Sequence, residues 1–115
     1  MVEFKISERQ ANSVTILDLS GDVIFSQGNV VLRNAIRCLL SERKRNILLN
    51  FSDVRFVDSS GIGELVSGLT AINKEEGQLK LLNLTQRIKH LLVITKLSTI
   101  FETFENERDA LDSFN

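Results

Sequence analysis

The residues best placed to do chemistry lie at mid-chain, in Asp58-Ser59-Ser60-Gly61-Ile62-Gly63. A carboxylate, two hydroxyls and two glycines stand where a loop gives way to a helical pattern. The first N–H groups of a helix have no partner within it, so such a terminus is an anion site. The residues alone also fit a plainer reading, in which Ser59 or Ser60 is an N-cap and the glycines let the helix pack closely.

Other chemistries lack residues. Gly61-Ile62-Gly63 has Val66 where the pattern G-x-G-x-x-G needs its third glycine, and no Walker A run is present. A nucleophile elbow needs glycines two places either side of its serine, but Val57 precedes Ser59 and Asp58 precedes Ser60 at that distance. His90 is the single histidine and Cys38 the single cysteine, too few for a zinc ligand set. A Ser-His-acid triad would hang on His90, which sits between Lys89 and Leu91 in a helical pattern and reads as a surface or rim histidine. Cys38, with Ala35 and Leu39 near it, reads as a buried small hydrophobe. No catalysis, metal or cofactor is expected.

Composition narrows the partners. A chain of 115 residues, 43% hydrophobic and 25% charged, is expected to form one domain over residues 1–115 with a core of its own. Net charge is −1, and the only basic knot is Arg43, Lys44 and Arg45, which argues against direct nucleic-acid binding. Met1 to Ser7 alternates apolar and polar residues, unlike a signal peptide, and no run approaches the ~18 apolar residues of a membrane span. One cysteine allows no internal disulfide, which fits a reducing compartment. A cytoplasmic protein with no membrane partner is the expectation.

The elements that must position the Asp58 segment follow from periodicity. Val2, Phe4 and Ile6 alternate with polar residues as in a half-buried strand. A polar link from Glu8 to Ser13 leads to a second strand, Val14 to Leu19, that stops at Gly21-Asp22. From Asn29 a helix carries Val31, Leu32, Ala35, Ile36, Leu39 and Leu40 on one stripe. Ile47 to Phe51 is apolar without alternation, as in a central strand covered on both faces, and Ser52 to Val57 reads as a short connection. A second helix has Ile62, Leu65, Val66, Leu69 and Ile72 inward and stops at Gly77. Leu79 to Leu84 is a strand, Thr85 caps a third helix with Ile88, Leu91 and Leu92 inward, a short strand lies around Ile100 to Phe104, and a last helix runs from Asn106 to Phe114. The fold class is α/β: a mixed sheet of about four to five strands, parallel at its core with an antiparallel N-terminal edge, flanked by about four helices.

The run Leu48 to Gly63, an apolar strand ending in Asn50-Phe51 and then Asp58-Ser59-Ser60-Gly61-Ile62-Gly63, resembles the hallmark segment of STAS domains, the anti-sigma-factor antagonist family. The order of elements from Gly21-Asp22 to the Leu79–Leu84 strand agrees, so the resemblance covers essentially the whole chain. It implies that Ser59 is the phosphoacceptor, flanked by Asn50, Asp58, Ser60 and Gly61. It further implies partner switching in transcription regulation. The unphosphorylated form would bind an anti-sigma factor that is also a serine kinase of the histidine-kinase-like ATPase fold, releasing a sigma factor; phosphorylation would end binding, and a PP2C-type serine phosphatase would reset the chain.

Docking candidates are then Asp22, Ile24 and Phe25 in one loop and Ile62, Gly63, Glu64, Ser67 and Gly68 on the second helix, whose outer side is read as Ser60, Glu64, Ser67, Gly68 and Ala71. Two positions depart from the family's pattern: Ile24 stands where many antagonists carry an acid, and Glu64 where an aliphatic or small residue is usual. A competing reading is a constitutive STAS scaffold or accessory domain of a transport or signalling assembly, in which the serine is never phosphorylated.

Overall fold

A computed structural model of the chain describes residues 3–25 and 27–114. Its elements are β1 (Lys5–Ala11), β2 (Val14–Val23), α1 (Gly28–Ser41), β3 (Asn46–Val57), α2 (Ser59–Lys74), β4 (Gln78–Leu82), α3 (Gln86–Ile94), β5 (Thr103–Phe104) and α4 (Glu107–Asp112). The strands form one sheet in chain order, with β1 antiparallel to β2 and every other pairing parallel. This is the expected mixed α/β sheet, and β3 is its centre.

Successive side chains of a strand point to opposite faces, and both faces of β3 are covered. Ile47, Leu49 and Phe51 pack with Leu17, Leu19 and Leu81 beneath α1, α2 and α3. Leu48 joins Val14, Ile16 and Leu82 against Ala110 of α4 on the other side. Lys80 on that second face is buried; its Nζ donates to the carbonyl and hydroxyl of Ser113, each at 3.0 Å, and lies 4.8 Å from the Phe114 ring centroid. Those contacts hold the chain's end to the sheet.

Several boundaries differ from the sequence expectation. Val2 lies outside the described residues. The polar stretch after Ser7 is strand as far as Ala11, paired residue for residue with β2, and only Asn12-Ser13 turns. An edge strand with both faces mostly in water needs no apolar alternation. β2 runs on through Gly21 to Val23, and Ser52 to Val57 continues β3 beside it, with register shifts between Asp18 and Ser20 and between Gly21 and Asp22. Beyond Phe51 only Val54 and Val57 face inward, so this half of the strand looks like a loop in sequence.

Cys38 is exposed, against expectation. Two residues beyond buried Ile36, it is rotated about 200° from the inner stripe at 3.6 residues per turn. The left-handed residue that ends α2 is Glu76 (φ 59°), one place before the expected Gly77. Thr85 caps α3 as expected, its hydroxyl accepting from the Ile88 N–H at 3.2 Å.

Candidate functional site

The central strand ends beside its neighbour: the Asp58 N–H donates to the Val23 carbonyl at 3.2 Å. Asp58, in extended backbone geometry, is the N-cap of α2, a role the sequence left to Ser59 or Ser60. Its Oδ1 accepts from the Gly61 N–H at 3.0 Å and from the Ser60 hydroxyl at 2.6 Å, while Oδ2 accepts from the Phe25 N–H at 3.1 Å. One carboxylate thus ties the start of α2 to the β2–α1 loop. Burial alone would raise the Asp58 carboxyl's pKa, but the Ser60 hydroxyl and the N–H groups of Gly61, Phe25 and Ser60 outweigh it and hold the group below the usual carboxylate range.

The close approach explains Gly61. A Cβ there would stand 2.5 Å from the Val23 carbonyl oxygen and 2.8 Å from Val57 Cγ1, so no larger residue fits without displacement. Gly63 is different: a Cβ there would meet nothing within 4 Å. It is an open position beside Ser59.

The two serines are now distinct. Ser60 is half-buried and its hydroxyl is committed to Asp58. Ser59, the first residue of α2, is exposed, and its hydroxyl has no hydrogen-bond partner among the described residues. It stands at the lip of a groove of about 650 Å³ between α2 and α3, with Phe56, Ile62, Val66, Leu91 and Ile94 among its apolar walls and Arg87 and His90 on the α3 side. This groove was not legible in the sequence, because its two walls, on α2 and α3, are separated in the chain by the whole of β4. His90 does occupy a rim, as its neighbours suggested.

The remaining docking candidates divide. Phe25 is 71% exposed, Ile24 is half-buried, and Ser67 is exposed on α2. Asp22 is buried, with the Arg55 guanidinium on its carboxylate at 3.2 and 3.3 Å. Glu64 and Gly68, expected on the outer side of α2, are buried against α1. The Glu64 carboxylate accepts from Arg33 Nε at 2.9 Å and also from Arg33 Nη2, and a Cβ on Gly68 would come within 2.9 Å of Ile36 Cδ1. Residues four apart share one helix face, and that face belongs to α1. Ile62 is buried but contributes to the groove wall.

Asn50 is not at this site. It lies eight residues up β3, on the order of 25 Å away at a strand's rise, so it does not flank Ser59 in space. Its Nδ2 donates to Asp18 at 2.8 Å, and its Oδ1 accepts from the Ser52 N–H at 3.2 Å and from Asn83 at 3.1 Å. Asp18 in turn receives Arg9, whose hydrogen bond, together with that of Asn50, holds the Asp18 carboxyl low against the opposing effect of burial. The polar network braces the sheet face next to α4. Among the described residues there is no cluster of three or more His, Cys, Asp or Glu side chains able to hold a metal, and no helix is long and apolar enough to cross a membrane.

A mixed five-stranded sheet whose central strand delivers an Asp-capped Ser-Ser-Gly turn to the start of a helix defines a family: the chain belongs to the STAS domain family, which it matches over residues 5–110. Among its relatives is the anti-sigma F factor antagonist of Paenibacillus polymyxa, 24% identical over 110 residues, covering 96% of this chain and 94% of the relative. The crystal structure of an anti-sigma factor antagonist from Mycobacterium paratuberculosis has the same fold (TM-score 0.80, 23% identity, 97% of this chain and 94% of that one). So does the Bacillus cell fate determinant SpoIIAA in its phosphorylated form (TM-score 0.73, 20% identity, 95% of this chain and 96% of that one).

Proposed function

We propose that this protein is an anti-sigma factor antagonist switched by phosphorylation of Ser59. Unphosphorylated, it binds an anti-sigma factor that is also a serine kinase of the histidine-kinase-like ATPase fold, and a sigma factor is released; phosphorylated, it lets go until a PP2C-type phosphatase resets it. The observation that carries the reading is the contrast between the serines, with Ser59 exposed and unpartnered and Ser60 held by Asp58. Curated relatives named as antagonists, and a phosphorylated neighbour with the same fold, support it.

Docking centres on Ser59, Gly63 and Phe25, with Ile24, Ile62 and Ser67 around them. Asp22, Glu64 and Gly68 act behind this surface, by fixing β3 and α1 against it. Phosphate brings about −1.5 to −2 charges to Ser59, next to the ionised Asp58. A thousandfold loss of affinity corresponds to about 4 kcal/mol, which a phosphate desolvated against a partner surface without cations can supply. Release then needs charge and bulk, not refolding.

The test is a pull-down from native cytosol with wild type, Ser59→Ala and Ser59→Asp, followed by mass spectrometry of partners and of phosphosites on the bait. The reading expects an ATPase-fold kinase retained by wild type and Ser59→Ala, lost by Ser59→Asp, with phosphate on Ser59. Identical partners for all three baits and no phosphate would favour a constitutive scaffold.

A further inference from the structure

The groove between α2 and α3 brings together groups that the switching reading leaves unused. Ser59 lies on its α2 side, and Arg87 and His90 line it from α3. Both α3 side chains are exposed, and neither has a hydrogen-bond or ion-pair partner among the described residues. Lys89, between them in sequence, is engaged elsewhere with Glu105 at 2.7 Å. The single acid in the lining is Asp58, whose carboxylate is turned to Gly61, Ser60 and Phe25.

These positions decide where a phosphate on Ser59 would go. At the start of α2, where free N–H groups would otherwise hold a phosphate, the Asp58 carboxylate already accepts the Gly61 N–H at 3.0 Å. The ionised Asp58 also repels the phosphate from that side. Across the groove stands a guanidinium on a flexible three-carbon stem, whose planar fork matches two phosphate oxygens, with an imidazole one helical turn further on. The walls between, Ile62, Val66, Leu91 and Ile94, are apolar and weaken the screening of any pair formed there.

We infer that phosphorylation of Ser59 draws Arg87, with His90 beside it, onto the phosphate, so that the phosphorylated chain bridges its own groove. The inference rests on the switching reading and adds a second component to release. The phosphate repels a partner and also pulls α3 side chains over the apolar surface that a partner would contact.

The test uses the full chain with phosphoserine installed at position 59 by genetic encoding, so that no kinase is required. Phosphorus NMR follows the second ionisation of the phosphate, which lies near pH ~6 for an unperturbed phosphoserine. The midpoint is expected about 0.5 to 1 pH unit lower in the wild type than in Arg87→Gln, with Arg87→Lys between them and His90→Gln showing a smaller rise. Comparing variants cancels the contribution of Asp58, which is common to all. Nitrogen NMR supplies a second readout: phosphorylation should shift the Arg87 Nε–H resonance and leave exposed Arg37 unmoved. Superimposed midpoints for wild type and Arg87→Gln, or an unmoved Arg87 resonance, would overturn the inference. Its failure is separable from failure of the switch, because a phosphorylated chain that releases its partner while wild type and Arg87→Gln titrate together keeps the switch and loses the bridge. A lowered midpoint in a phosphorylated chain that still binds would do the reverse.

Discussion

Asp58 joins two segments through three hydrogen bonds, so its removal is a sharp test of how the site is built. Asp58→Ala deletes the cap of α2, leaves the half-buried Ser60 hydroxyl without its acceptor, and frees the Phe25 N–H. A lost N-cap costs about 0.5–2 kcal/mol, typically ~1, and a half-buried hydroxyl left unpaired adds about 1. The sum, roughly 2 kcal/mol, lowers the melting temperature by about 8 °C for a domain of this size. Asp58→Asn keeps a good capping residue and one acceptor, and should cost less than about 1 kcal/mol at neutral pH.

The pH dependence has a definite sign. Because the folded Asp58 carboxyl titrates below its ordinary value, its contribution is complete above the unfolded pKa of ~3.9 and is lost as pH falls through the folded value. The stability gap between wild type and Asp58→Asn should therefore be full near pH ~6 and narrow steadily as the pH falls below the unfolded pKa of ~3.9. Asp18, lowered by its bond to Arg9, works in the same direction but is present in both proteins and cancels. Urea unfolding followed by circular dichroism at several pH values measures the gap. An Asp58→Ala chain as stable as wild type, or a gap that does not narrow in acid, would refute the account of the cap.

Three further outcomes follow from the same geometry. Gly61→Ala should destabilise by at least about 2 kcal/mol and shift the amide resonances of the Ile24–Phe25 loop, since its Cβ would stand 2.5 Å from the Val23 carbonyl oxygen; unchanged denaturant midpoints would contradict the contact. Ser59→Ala should leave stability within about 0.5 kcal/mol whereas Ser60→Ala lowers it by about 1, and equal effects would remove the distinction between the serines. Glu76→Gly should raise stability by about 0.5–1 kcal/mol in calorimetry, because the left-handed φ of 59° disfavours a side chain there; a loss would place other contacts above that strain.

How much was legible depended on whether a residue's neighbours in space are also its neighbours in sequence. The Ile47–Phe51 run declared a central strand because it is covered on both faces, and Thr85 declared a helix start because capping is local. β1 and the second half of β3 hid themselves: an edge strand in water carries Glu8, Arg9 and Gln10, and a strand beyond the core carries Ser52, Asp53 and Arg55. Glu64 reads as surface by type and is buried, because only the fold shows Arg33 of α1 waiting for it. The Ser-Ser-Gly turn announced the site, but which serine is free depended on where the Asp58 carboxylate points. The groove, with Arg87 and His90 across from Ser59, exists only once α2 and α3 are laid side by side.

The central claim is that phosphate on Ser59 decides whether the chain is bound. The direct measurement is the affinity of the chain, unmodified and with phosphoserine at position 59, for the ATPase-fold kinase that the proposed function expects the pull-down to recover, taken by calorimetry at one ionic strength. The account predicts a loss on the order of a thousandfold, about 4 kcal/mol, with the fold of the free chain unchanged. Affinities within about threefold of each other would contradict it.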